Sequence, residues 1–544
     1  MKVVVDLTRC QGYAQCAFAA PDVFTMRGDE ALLYDPAPDD AERAKIVRAA
    51  AACPVQAISL GPAGRQSRED VRQPPGAMVH AAAGSFQEAL KRAGRIVIVG
   101  ASLAGLRAGS VLRRDGFTGS LTVIGDEPYS PYDRPPLSKQ VLIGQASARE
   151  TALPGDDEID AHWRLGVAAT GLDVGSNQVL LADGEKVGFD RLLIATGARA
   201  RPWPNEAEAQ LAGVFAVHAP DEVEGLRRAL CAGPGRVLVI GAGFTGCEVA
   251  SACRELGVPV TVVERGPAPL AGALGAPIGG VVAQMQRDHG VNLRCGVQVT
   301  ALDAGGNGDG RLRRARLSDG STLDVDVAVA ALGGIRNIEW LKDSGLAAGV
   351  WGVACDAGCR VFDVNGVVTD DVFVAGDVAR FPHPVYGYQF LALEHWGNAV
   401  AQAEIAAHNM ISAQGERWPY LALPEFWSTQ FGTEIKSVGV PTYADQVVIA
   451  QGSVAERRFV AVYGYRGRIT AAVAFNQAKW LEFYERLIDQ AAPFPPTSCT
   501  VDEPADSRPV AAEVPDRPTP YATVVVTGHE PSERRVARVH RTYL

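Results

Sequence analysis

The sequence predicts a multidomain chain of mixed α/β and α+β class, and three observations carry that reading. Two segments, RIVIVGASLAG from Arg95 and RVLVIGAGFTG from Arg236, each read as a buried strand, a glycine turn and the start of a helix. Each is followed by a second strand, LTVIGDE and VTVVERG, so one βαβ design occurs twice. The two ends differ from this centre. Residues 1–61 hold Cys10, Cys16 and Cys53, and from about Pro424 short strands alternate with a helix. At 544 residues, 47% hydrophobic and 21% charged, the chain has apolar material for roughly three or four cores.

Taken in order, VVVD opens residues 1–61 as a short strand and QCAFAAPDVF reads as a short helix. DEALLY is strand-like, DDAERAKIVRAAAA is a helix with an acidic first turn, and QAISL closes the unit as a strand. So few residues make a marginal core, which a metal site would help to hold. Residues 62–94 read as a linker rich in Gly, Pro and Ala that ends in the amphipathic SFQEALKRAG. The first glycine-turn domain is then expected at 95–202 and the second at 203–327, with the first resumed at 328–410. The echo between LLADGEKVGFDRLLIATG, ending at Gly197, and RLSDGSTLDVDVAVAALG, ending at Gly333, extends the repeat. An α+β unit at 411–492 follows, with strands QVVIAQG, RFVAVYGY and RITAAVAF and helix QAKWLEFYERLIDQ. Residues 493–544 form a proline-rich extension, irregular at first, ending in a strand and a basic tail.

Composition excludes several classes of function. The 52 basic and 62 acidic residues leave a net charge of −10, which argues against gripping phosphate backbones. No run of about 18 apolar residues and no export signal are read, so a cytoplasmic protein with no membrane partner is expected. In a reducing compartment the 10 cysteines point to metal or redox roles rather than disulfides.

Cys10-x5-Cys16 with a distant Cys53-Pro54 is a cluster pattern, because iron–sulfur centres need thiolates from a tight loop plus one from elsewhere. The middle position of the usual run is Tyr13. Three thiolates favour a 3Fe-4S cluster, with 4Fe-4S and a non-cysteine ligand as the alternative. Residues 1–61 resemble the single-cluster bacterial ferredoxins that feed haem-thiolate monooxygenases, which often carry a non-cysteine residue at that position.

Gly100-x-Ser102-x-x-Gly105 follows a clean strand and opens a helix, the context a dinucleotide-binding turn requires. Ser102 is small enough to let a pyrophosphate approach, whose charge meets backbone N–H groups at the helix start. Asp126 or Glu127, after the second strand, is placed to bond an adenosine ribose. The second copy, Gly241-x-Gly243-x-x-Gly246, is followed by Glu264, which would accept from a ribose 2′-OH and repel a 2′-phosphate. NADH is therefore expected over NADPH, tempered by the adjacent Arg265.

DEPYSPYDRPPLSK, IATG, VFVAGDVARF, LEHWGNA and EFWSTQFG occur in an order that resembles the FAD-dependent ferredoxin reductases of oxygenase systems. The resemblance covers about residues 95–490 and implies two Rossmann-like FAD- and NAD-binding domains of glutathione-reductase type plus a C-terminal interface domain. It implies that Ala104, Asp126, Arg134, Lys139 and Gly197 contact FAD and that Asp377 bonds its ribityl chain. Glu394, His395 and Trp396 would line the isoalloxazine, and Trp427 would lie where the iron–sulfur partner docks. Lys139, Glu394 and Trp427 are the expected catalytic set, with Lys139 stabilising negative charge on the reduced ring. Core packing is the bland alternative for both tryptophans. His218 stands where the family commonly has an FAD-contacting arginine.

Other signals point elsewhere or nowhere. No cysteine lies between Cys53 and Cys231, so the flavin-side pair of a disulfide reductase is missing. Cys247 and Cys253 read as helix core, and Cys355-x3-Cys359 receives no role. The expected function is an NADH-dependent ferredoxin reductase fused to its own ferredoxin, passing electrons to an external acceptor. Resemblance makes that acceptor a cytochrome P-450 monooxygenase. A Rieske-type oxygenase, or an NADH-sensing flavoprotein with no electron outlet, are the alternatives.

Overall fold

In the computed structural model the N-terminal strand Lys2–Val5 pairs antiparallel with Ile58–Gly61, so the two ends of the small unit close on each other. The structure describes residues 2–5, 16, 20–27, 31–35, 38–52, 58–61, 86–155, 159–305, 310–496, 510–511, 523–525 and 536–538. A hairpin joins Phe24–Arg27 to Ala31–Tyr34, and Asp39 caps the turn that leads into helix Arg43–Ala52 by accepting from Ala41 N–H. Ile46, Ala49, Phe24 and Val3 are buried, which gives this unit its core.

Both glycine motifs stand at the centre of largely parallel sheets. The first sheet runs Arg360–Phe362, Val368–Val374, Arg191–Ile194, Arg95–Val99, Ser120–Gly125 and His162–Leu165, with only the first strand antiparallel. The second runs Val214–Phe215, Val327–Ala330, Val237–Ile240, Val260–Glu264 and Asn292–Cys295, all parallel. Leu192–Ile194 and Val237–Ile240 are buried at every residue, as continuous apolar runs covered on both faces should be. Each domain also carries a three-stranded antiparallel meander, and the internal echo maps onto it. Asp183 accepts from Glu185 N–H and Asp319 from Ser321 N–H, each beside a glycine of positive φ.

The glycines seat each helix on its strand. A Cβ at Gly105 would lie 1.9 Å from the Gly100 carbonyl oxygen, and one at Gly246 would lie 2.0 Å from that of Gly241. Gly100 and Gly241 themselves have φ of +126° and +99° and press on the backbones of Ala195 and Ala331.

The C-terminal unit is an antiparallel sheet ordered Glu425–Gln430, Thr433–Gly439, Arg468–Phe475, Arg458–Tyr465, Gln446–Ser453 and Val510–Ala511. Its middle strands are apolar at nearly every position because both faces are covered. Phe459, Ala461 and Tyr463 join the core of the second glycine-turn domain, while Val460 and Val462 join the core that includes helix Leu481–Asp489 and the first domain.

Two expected boundaries move. The cut after residue 327 falls inside Val327–Ala330, which pairs on both sides, so the return crossing lies after Ala330. The cut at 492 is also too early. Phe494 packs over Gly464, and Val510–Ala511 adds to the sheet edge, so the proline-rich segment returns to the domain. Beyond it, Thr523–Val525 pairs with Val536–Arg538. Among the described residues no helix is long and apolar enough to cross a membrane.

Replacing Gly105 or Gly246 by Ala should cost about 2 kcal/mol or more, because the added methyl meets main chain and not a flexible side chain. Thermal unfolding of each variant checks this; a melting temperature equal to wild type would contradict the packing described.

Candidate active site

Three helix starts converge on one cavity of about 590 Å³. They belong to Leu103–Arg114 after the first glycine turn, Phe244–Glu255 after the second, and Trp396–Ile411. None of the three has a side-chain hydrogen bond at its N-cap, so first-turn N–H groups are available to a ligand. The cavity brings together Gly100, Ser102, Ala104, Asp126, Glu127, Arg134, Lys139 and Gly197 from the first part of the chain. Asp377, Glu394, His395, Trp396 and Trp427 complete its wall from the later part. Gly105 lies beneath it, packed on Gly100. Gly241, Gly243, Gly246 and Glu264 form a separate turn outside its lining.

The far end of the cavity is a polar network. Arg134 pairs with Glu127 at 2.7 Å and donates to the His218 carbonyl at 3.0 Å, while Tyr132 O–H donates to the other Glu127 oxygen. Both oxygens of Glu127 are thus engaged by side chains, and its neighbour Asp126 is exposed. Burial pushes the His218 imidazole down to about 4, with the Arg134 charge acting the same way, so His218 is neutral and supplies no cation.

Asp377 follows Gly376, whose N–H donates to the buried Gln402 side chain at 3.0 Å. Burial pushes the Asp377 carboxyl up to about 7; the Glu394 charge adds to this, and Arg336 and Arg134 oppose it. Arg336 pairs with Glu394 at 2.8 Å. His395 stands at the start of helix Trp396–Ile411, and burial holds its imidazole down at about 4. Its Nδ1 is buried with no hydrogen-bond partner among the described residues. The ring lies 5.4 Å from Phe426, which lies 4.8 Å from Phe244.

Lys139 is the sharpest feature. Its ammonium, only 16% exposed, lies 2.7 Å from Glu248 of helix Phe244–Glu255, itself 7% exposed. Glu248 also accepts from Ser138 at 2.5 Å and from Ser428 at 2.6 Å. Three separate parts of the chain therefore meet at one carboxylate.

The tryptophans are not core residues. Trp396 is 37% and Trp427 40% exposed, and their rings meet edge to face at 5.8 Å. Trp396 also donates to Asp133 at 2.9 Å. Strand Glu425–Gln430 alternates exposed and buried residues, which turns Trp427 out and Phe426 and Ser428 in.

At the second turn a Cβ on Gly243 would meet nothing within 4 Å, in contrast to Gly241 and Gly246. Glu264 accepts from Ala242 N–H at 2.7 Å and from Gly266 N–H at 2.6 Å. The carboxylate is thereby fixed at the strand end beside an open approach to the turn.

The donor set fits a flavin dinucleotide in the cavity. Uncapped helix starts suit a pyrophosphate, carboxylates at the strand ends suit sugar hydroxyls, and an unpartnered imidazole sits among aromatic rings. Among the described residues no cysteine lines the cavity. Cys247 and Cys253 are buried in helix Phe244–Glu255, with burial pushing Cys253 up to about 12 and Cys247 higher. Cys355 and Cys359, given no role, are likewise buried. Of the expected cluster ligands, Cys16 is buried and its carbonyl accepts from Ala20 N–H. Cys10 and Cys53 lie outside the described residues.

Sequence reasoning missed Glu248, Ser138, Ser428, Arg336, Tyr132 and Asp133. For Glu248 a signal existed: a carboxylate amid Gly246, Cys247, Val249 and Ala250, on the buried side of a motif helix.

The chain is similar to known proteins along most of its length. Residues 94–403 match the pyridine nucleotide-disulphide oxidoreductase family, 425–510 the reductase C-terminal family, and 3–60 a family described as a 4Fe-4S single cluster domain. A probable ferredoxin reductase of Castellaniella defragrans is 34% identical over 69% of this chain and 89% of its own length. The ferredoxin–NAD(+) reductase component of the biphenyl dioxygenase system of Paraburkholderia xenovorans is 32% identical over 72% and 92%. The crystal structure of a covalent putidaredoxin reductase–putidaredoxin complex superposes with a TM-score of 0.69 at 28% identity, covering 74% of this chain and 94% of that one.

Asp377 yields a pH prediction. Its raised folded-state pKa means its stabilising contribution is complete below about 3.8 and is lost as pH rises through about 7. In flavin-free protein, Asp377→Asn should gain melting temperature over wild type progressively from about pH 4, levelling above pH 7. A difference independent of pH would contradict the burial assigned to this carboxyl.

Proposed function

This chain belongs to the pyridine nucleotide-disulphide oxidoreductase family, as an FAD-dependent NAD(P)H:ferredoxin oxidoreductase joined to a single-cluster ferredoxin domain, and from that premise we propose the finer reading. It is an NADH-preferring reductase that reduces its own tethered 3Fe-4S ferredoxin, which hands electrons to a cytochrome P-450 monooxygenase. Bound FAD would take a hydride from reduced nicotinamide, two electrons and one proton, and release the electrons one at a time to the cluster.

The residues present suit these tasks. Ser102, Ala104 and the first-turn N–H groups of Leu103–Arg114 would seat the pyrophosphate of FAD. Asp126 is favoured over Glu127 as the ribose acceptor, because Asp126 is exposed while the Glu127 charge is neutralised in a salt bridge with Arg134. Asp377, fixed through Gly376 and Gln402, would accept from the ribityl chain. Lys139 brings a positive charge to the cavity and Glu248 holds it there. His395 and Glu394 line the ring-binding end, and the exposed Trp396–Trp427 pair offers the ferredoxin an aromatic face.

Preference for NADH rests on Glu264, whose fixed carboxylate would accept a ribose hydroxyl and repel a phosphate. A 3Fe-4S centre rests on the three cysteines and Tyr13. The P-450 acceptor rests on the resemblance of residues 1–61 to ferredoxins of those systems. A Rieske-type acceptor is the second reading, since the relative from Paraburkholderia xenovorans is named for a dioxygenase system. Sharing one chain places the ferredoxin at an effective concentration of roughly mM.

The observation that carries this reading is the cavity itself: one Rossmann-type turn in its wall, the helix of the second turn beside it through Phe244 and Glu248, no cysteine among its described lining residues, and an exposed aromatic pair at one end. Two measurements test it. NADH should exceed NADPH by about tenfold or more in kcat/KM, the size of one unfavourable charge contact; equal values would reject the preference. Cys16→Ser should abolish NADH-driven cytochrome c reduction yet preserve ferricyanide reduction, and unchanged cytochrome c turnover would reject the cluster as outlet.

A further inference from the structure

We infer that Ser428, on the C-terminal sheet, is a positioning residue for the Lys139 cation of the flavin cavity, acting through Glu248. The inference rests on the flavin reading above and adds a residue that neither domain of the nucleotide-binding half contains.

Glu248 divides its two oxygens between different parts of the chain. One, Oε2, takes the Lys139 ammonium at 2.7 Å and the Ser138 hydroxyl at 2.5 Å. The other, Oε1, accepts only from Ser428, at 2.6 Å, among the contacts of the described residues. Ser428 is fully buried and in turn accepts from the buried Gln430 amide at 3.0 Å. The C-terminal strand thus fixes the carboxylate from behind while Lys139 approaches from the cavity side.

The consequence is electrostatic. In a site this dry, a carboxylate held by a neutral donor on one oxygen shares its charge between that donor and the ammonium. Without the Ser428 hydroxyl, the carboxylate would turn its charge onto Lys139 and draw the ammonium away from the cavity. Less positive field would then reach the ring-binding end, and negative charge on a reduced flavin would be less well stabilised. Ser428 has no lining contact with the cavity, so it acts only through Glu248.

The test is Ser428→Ala in the full-length holoenzyme, with Ser428→Thr as the conservative variant. Spectroelectrochemistry should show a lower flavin midpoint potential in Ser428→Ala. Stopped-flow should show flavin reduction by NADH about tenfold slower, the effect of one lost hydrogen bond to a charged group, with KM for NADH within about twofold. Ser428→Thr should restore both. An Ala variant with full FAD content and the wild-type potential would overturn the inference. Should that variant fail to hold FAD, Gln430→Leu decides: a smaller drop in potential supports the inference and an unchanged potential overturns it. Wild-type flavin that NADH does not bleach would instead sink the underlying flavin reading, whatever Ser428 does.

Discussion

Each glycine turn works because a helix can rest directly on the carbonyl of the residue that begins the turn, and everything the cavity does follows from that contact. With Gly105 on the Gly100 carbonyl and Gly246 on that of Gly241, the helix starts lie flush with the strand ends. Their uncapped N–H groups then point to where a phosphate would sit, and the side chains after the turn fall at fixed places. Through Phe244 and Glu248 the second helix contributes to the wall of the first domain's cavity, although its own turn opens elsewhere. Two binding functions share one rigid construction.

Glu248 is where that construction meets the C-terminal sheet. Burying a carboxylate is costly unless its oxygens are satisfied, and here an ammonium and two hydroxyls from distant segments satisfy them. The same sheet presents Trp427 outward beside Trp396, so its strand has one side at the charged pair and the other at the surface. The alternation of a single strand separates an exposed aromatic face from the buried charged pair. No cysteine is needed in such a wall, which sets this site apart from the disulfide chemistry that names the family.

What could be read from the sequence was local. The glycine turns and the continuous apolar strands are written in windows of ten to twenty residues, and the structure places them as read. The cavity-lining set from Gly100 to Trp427 was legible only because a family resemblance joined segments that local patterns cannot connect. Glu248 and its serine partners were not legible. Ser138 lies 110 residues from Glu248 and Ser428 lies 180 away, and both look like ordinary serines in their own strands and turns. The boundary after residue 327 failed for a related reason: Val327–Ala330 reads as any apolar strand, and only its pairing partners show which sheet owns it.

Fusion gives the account its direction, since a carrier of electron pairs and a carrier of single electrons share one polypeptide. Anaerobic mixing of the full-length protein with one equivalent of NADH, followed by visible absorption and by EPR of samples frozen at successive times, tests this most directly. The account predicts loss of the yellow flavin band first, then reduction of the iron–sulfur centre as the flavin colour partly returns. Flavin bleached while the cluster signal stays as it was before mixing would contradict it.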